Sequence, residues 1–150
     1  MFYGSYIGFG GGTPSYLPSD SLSKLMSSIS LAFNVSDEAE VTLEANPGDL
    51  SVDRLVEMRE MGFNRISIGV QSLDNQMLRI LGRKHNALEA KNAALFARQA
   101  GFHNLSLDLM FGLPHQSVEA WRKVLQETVD IGPDHLSLYG LTLEKGTPLE

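Results

Sequence analysis

Apolar residues recur along this chain in two rhythms. In Ser5 to Phe9, Glu40 to Glu44, Arg65 to Val70, Asn104 to Met110 and His135 to Tyr139, every second residue is apolar, which predicts five β-strands. Between them the spacing widens to three and four: Leu22, Leu25, Met26, Ile29 and Phe33; Val52, Leu55 and Val56; Ala90, Ala93, Ala94 and Ala97; Val118, Trp121 and Leu125. These stripes predict helices with one face for a sheet. Ser51 and Ser117 stand where N-caps are needed, and Gly62, Gly101 and Gly132 where helices should stop. Strands alternating with helices predict an α/β domain with a parallel sheet.

Strand parity says more, because successive side chains point to opposite faces. Ile7 and Phe9, Val41 and Leu43, Ile66, Ile68 and Val70, Leu105, Leu107 and Leu109, and Leu136 and Leu138 share the parity expected to meet the helices. The other parity holds Tyr6 and Gly8, Thr42 and Glu44, Ser67, Gly69 and Gln71, Ser106 and Asp108, and Ser137 and Tyr139. A filled eight-stranded barrel would carry bulky aliphatic residues there, and a doubly wound sheet would be apolar on both faces. A curved sheet with a polar concave side is expected instead, and such a surface suits a polar ligand.

Composition narrows the field. The 150 residues carry a net charge of -6, which gives no electrostatic reason to expect a nucleic acid or an anionic membrane as partner. No apolar run reaches the roughly 20 residues of a membrane span, and Met1 to Gly4 has no basic leader, so a cytoplasmic protein is expected. The chain has no cysteine, so it holds no disulfide, thiolate nucleophile or thiolate-bound metal.

Gly10-Gly11-Gly12-Thr13-Pro14 follows the first strand. The run is either a tight turn or a cradle of N–H groups for an anion; the spacings of a P-loop and of GxGxxG are absent. Glu44, Gln71 and Asp108 stand at three strand ends on the inward parity, where barrel enzymes place their sites. They suit hydroxyls, amines and adenine edges better than metal, although Glu44 and Asp108 could also form an acid/base pair or serve a metal-dependent barrel enzyme. Arg83, after Gly82, is either a solvated charge or a fork for a carboxylate. His85, His103, His115 and His135 show no metal-ligand spacing. Asn46-Pro47-Gly48 and Gly112-Leu113-Pro114 read as loop formers.

Five motifs in order, Gly10 to Ser15, Leu43 to Pro47, Ser67 to Ser72, Leu81 to His85 and Leu107 to Pro114, resemble radical S-adenosylmethionine (SAM) proteins of the oxygen-independent coproporphyrinogen III oxidase group. The Glu44 to Pro47 and Gly82 to His85 versions, with Ser137 to Thr142, resemble its haem chaperone branch more than the decarboxylating oxidase. The resemblance implies a partial TIM-type (β/α)6 barrel. It also implies that Gly11, Gly12 and Thr13 meet the amino and carboxylate end of SAM, that Glu44 and Gln71 lie near its ribose and amino acid portion, that Arg83 pairs with its carboxylate, and that Asp108 bonds the ribose. Haem or a porphyrinogen is the implied partner, and the electron donor is left open. The family's CxxxCxxC loop, which ligates a [4Fe–4S] cluster, is implied to precede the first strand seen here. The chain is therefore expected to be part of a barrel truncated at both ends rather than a degenerate homologue without the cluster, with the cluster in the complete protein only and no radical chemistry by this chain alone.

Overall fold

A computed structural model describes residues 4–143 and 145–146; Met1 to Tyr3, Glu144 and Thr147 to Glu150 lie outside the described residues. The chain runs β1 Gly4–Phe9, α1 Ser19–Ala32, β2 Val35–Ala45, α2 Val52–Glu60, β3 Arg65–Gln71, α3 Asn75–Ile80, α4 Ala87–Gln99, β4 Asn104–Phe111, α5 Val118–Asp130 and β5 His135–Gly140. Single 3-10 turns, Pro14–Tyr16 and Pro47–Asp49, follow β1 and β2. The strands form one sheet in chain order, every neighbouring pair parallel. Such an unbroken order is that of a barrel arc, whereas a doubly wound sheet reverses its order at a switch point.

The predicted parities separate as expected. Leu43, Ile66, Ile68, Val70, Leu105, Leu107 and Leu109 are buried and join Leu22, Leu55, Met58 and the alanines of α4 in one core. Alanine on that stripe keeps α4 close to the sheet, and α2 packs beside it. The other parity carries Thr42, Ser67 and Ser106, all buried, with Glu44 exposed and Asp108 half-buried. Hydrogen bonds satisfy this polar face: Arg65 donates to Thr42, and Ser106 Oγ lies 3.0 Å from His135 Nδ1. Buried polar groups are tolerable on that condition.

Helix ends follow the sequence signals. Ser51 and Ser117 accept N–H bonds from Arg54 and Ala120. Gly62, Gly101 and Gly132 have positive φ, and at the first two the next residue, Phe63 or Phe102, closes a 6→1 bond to Met58 or Ala97. Arg59 and Arg98 each donate to the carbonyl of the phenylalanine four residues on, so α2–β3 and α4–β4 repeat one joint.

Several expectations need correction. β2 starts at Val35 rather than Glu40, because pairing with β1 begins at Gly4↔Val35 despite the weak strand formers between. Leu25, Phe33, Val56 and Val118 are exposed. Phe33 is already extended, as the C-cap of α1, so it has left the helical stripe. Leu138 is also exposed, since β5 lies at the edge of the described sheet. No stripe announced α3, whose six residues are too few to show a period.

Candidate functional site

The C-terminal ends of β1, β2, β3 and β4 bring the candidate residues to one cavity of about 200 Å³. Gly12, Thr13, Glu44, Gln71, Arg83 and Asp108 all line it. Gly11 stands beside it, its N–H donating to Glu44 Oε2 at 3.3 Å. Asn46, which the sequence presents only as part of a loop former, lines the same cavity and donates from Nδ2 to Thr13 Oγ1 at 3.0 Å. A signal existed: Asn46 is the next inward position after Glu44, and the alternation simply had to be followed past the strand end. The Asn46-Pro47-Gly48 segment thus shapes the rim and also supplies a polar lining residue.

Missing side chains make the room. A Cβ on Gly10 would lie 2.6 Å from Glu44 Oε1, so glycine lets the carboxylate lie over the backbone of the loop. On Gly69 a Cβ would come within 2.8 Å of Gln71 Nε2. Gln71 itself has φ 64°, a left-handed conformation uncommon outside glycine, and β3–β4 pairing shifts register there. Its amide reaches the cavity from this kink, so a simple extension of strand parity does not describe it.

The electrostatics are mixed. Asp108 Oδ1 accepts from Ser67 Oγ at 2.9 Å. Burial pushes its carboxyl above the usual range, against the opposing pull of the Ser67 and Ser137 hydroxyls, Arg65 and His135. Arg83 is exposed on one side and makes no side-chain hydrogen bond or ion pair among the described residues. The cavity walls strip water from its guanidinium and push it below its ordinary value, leaving it charged and free to meet an anion. Two carboxylates, two amides and one free guanidinium around a polar cleft can hold a ligand that carries both hydroxyl or ammonium donors and a carboxylate.

This donor set fits SAM, which has a zwitterionic amino acid end, a sulfonium and a ribose. It does not fit an iron–sulfur cluster, because no thiolate is present in the chain. Among the described residues no group of three His, Asp or Glu side chains could hold a metal ion, so the metal-dependent alternative finds no ligand set there. Nor is any helix of the described residues long and apolar enough to cross a membrane. His103 and His115 line no part of the cavity, and the buried His85 lines an adjoining cavity of about 660 Å³ that shares Thr13, Asn46 and Arg83 with it.

Comparison with known proteins agrees with the fold and the motif order. The sequence model of the Radical SAM superfamily matches residues 2–128. "Heme chaperone HemW" of Escherichia coli (strain K12) is 44% identical over 141 residues, covering 94% of this chain and 37% of the relative. "Radical S-adenosyl methionine domain-containing protein 1, mitochondrial" of Danio rerio is 46% identical over 141 residues, covering 94% of this chain and 32% of the relative. Among solved structures, the coproporphyrinogen III oxidase HemN of Escherichia coli, described as a radical SAM enzyme, superposes with a TM-score of 0.84 at 33% identity, covering 92% of this chain and 32% of that one. The chain thus spans about a third of the length of these proteins. A parallel sheet in barrel order, a polar concave face and a family match over most of the sequence agree, and the chain belongs to the radical SAM superfamily.

Proposed function

We propose that this chain supplies the SAM-binding portion of a radical SAM protein of the coproporphyrinogen III oxidase-like group, in the haem chaperone branch. One observation carries the reading: Arg83, free of partners among the described residues, faces the same cavity as Glu44, Gln71, Asp108 and the Gly12-Thr13 backbone. Arg83 receives the SAM carboxylate, Gly11, Gly12 and Thr13 flank the amino acid end, Glu44 and Gln71 lie along the amino acid and ribose, and Asp108 accepts from a ribose hydroxyl. In this family SAM supplies radical chemistry when a [4Fe–4S] cluster is bound with it; the residues here bind and orient. The ligands of that cluster are not on this chain.

The haem chaperone branch is supported by relatives of that name at 44% and 41% identity, and haem is the proposed partner. A second reading, oxidation of a porphyrinogen, is supported by the 33% identity to HemN. A cytoplasmic setting belongs to the same proposal and is tested by fractionation. The central test is calorimetric titration of the full-length protein with SAM. Arg83→Ala is expected to weaken binding by roughly 1.5–3 kcal/mol, the range for a hydrogen bond to a charged group, with Arg83→Lys restoring part of it. Unchanged affinity in Arg83→Ala would overturn the assignment.

A further inference from the structure

His85 is the one histidine buried within the described residues, at 7% exposure, and the proposed binding chemistry does not use it. Its Nε2 lies 3.0 Å from the carbonyl oxygen of Val70. A carbonyl only accepts, so Nε2 carries the proton and Nδ1 the lone pair. Burial lowers the imidazole below its ordinary value, with Arg83 adding to the effect and the Val70 bond, Glu89 and Asp49 opposing it; the net lowering keeps the ring neutral in the tautomer that donates.

The position of this bond gives it a consequence. Val70 is the last residue of β3 before the left-handed kink at Gln71, and its carbonyl also accepts the N–H of Ser72 at 2.8 Å. From there the chain leaves the sheet. Ser72 Oγ accepts from Asp74, Asp74 caps α3, and α3 ends where Gly82, at φ 64°, lets Arg83 N bond Leu78 O at 2.9 Å. Two residues later His85 returns to Val70. One hydrogen bond therefore closes the excursion at its root, and both cavity residues of this segment, Gln71 and Arg83, sit beside the closure. A separate tie, Asn75 Oδ1 accepting from Ala87 N at 2.8 Å, holds the outer flank.

We infer that His85 is a positioning residue: its ring clips the Arg83 turn to the end of β3 and so fixes the guanidinium and the Gln71 amide relative to each other over the cavity. The inference rests on the SAM-binding reading above, and the experiment separates the two. SAM affinity of the full-length protein is measured for His85→Phe, which keeps a ring and removes the donor, and for His85→Gln, whose amide N–H reaches a similar distance. The expected result is a loss of roughly 3- to 10-fold in His85→Phe, the worth of one net hydrogen bond, with His85→Gln close to the parent. In an Arg83→Ala background His85→Phe should add little, because residues acting as a unit are not additive. Amide exchange at Ser72 and Arg83 should quicken in His85→Phe and recover in His85→Gln. Should His85→Phe unfold, His85→Asn, too short to reach Val70, takes its place with the same expectation. If Arg83→Ala weakens binding while the donor-lacking variant does not, or if that variant costs as much without Arg83 as with it, the positioning role is overturned alone. If the parent binds no SAM, both fall.

Discussion

At the scale of single residues, the site is built as much by absent side chains as by present ones. Gly10 has a backbone an alanine can adopt, and an added methyl there would meet the flexible end of Glu44 rather than a fixed wall. Gly10→Ala should therefore change stability by no more than about 0.5 kcal/mol, as for other surface substitutions. By pushing the carboxylate off the loop it should also weaken SAM binding by roughly 3- to 10-fold, one hydrogen-bonding group's worth. Paired melting curves and titrations check both halves, and an affinity equal to the parent's would show that Glu44 does not need this seat. The acidic members, Glu44 and Asp108, are legible because strand parity and strand ends are properties of spacing, whereas Arg83, in the turn between α3 and α4, stands out only through the motif resemblance. Asn46 was passed over because Pro47 announced a loop and drew attention from the side chain before it. The Gln71 kink was not legible at all: nothing in the residue type of a glutamine signals a left-handed φ, which the surrounding structure imposes.

At the scale of elements, the same distinction holds between what is local and what is not. Caps are local chemistry, and Ser51, Ser117, Gly62, Gly101 and Gly132 could be placed from sequence alone. Burial of a helix face is decided by neighbours, so the apolar stripes of α1, α2 and α5 are wider than the faces they bury. The helix after the Arg83 turn shows how a cap serves the site. Asn86 accepts from Glu89 N at 3.0 Å, and Glu89 Oε2 accepts from Asn86 N at 2.7 Å, a reciprocal box that starts α4 immediately after His85. Asn86→Ala should cost about 0.5–2 kcal/mol of stability. A lowered urea midpoint at unchanged slope is the expected signature. A midpoint matching the parent's would mean that packing of the alanine stripe, and not the box, determines where α4 begins.

At the scale of the whole molecule, the barrel arc places titratable groups on a concave face that is polar yet partly removed from water, and this sets an opposition between stability and function. His85, lowered from 6.5, costs stability as pH falls below that value, because the unfolded chain takes up the proton first. Asp108 has the opposite sign. Its folded carboxyl is raised above 3.8, mainly by burial, so the folded state binds the extra proton. Stability is then full below 3.8 and falls as pH rises through the folded value, which means that at neutral pH the charged Asp108 destabilises the protein. Asp108→Asn removes that charge while its amide oxygen can still accept from Ser67 Oγ. The ligand-free variant should therefore melt above the parent at pH 7, and the difference should shrink as pH falls through the folded value and level off only below 3.8, where the parent's carboxyl is protonated in both states. The same variant should bind SAM more weakly, since a neutral amide accepts from a ribose hydroxyl less strongly than a carboxylate does. Functional sites commonly hold such destabilising groups, and replacing them raises stability at a cost in activity. Melting temperatures of both proteins across pH 3 to 8 decide the matter: a variant no more stable than the parent at pH 7, or a difference that does not vary with pH, would show that Asp108 is not held against a burial cost.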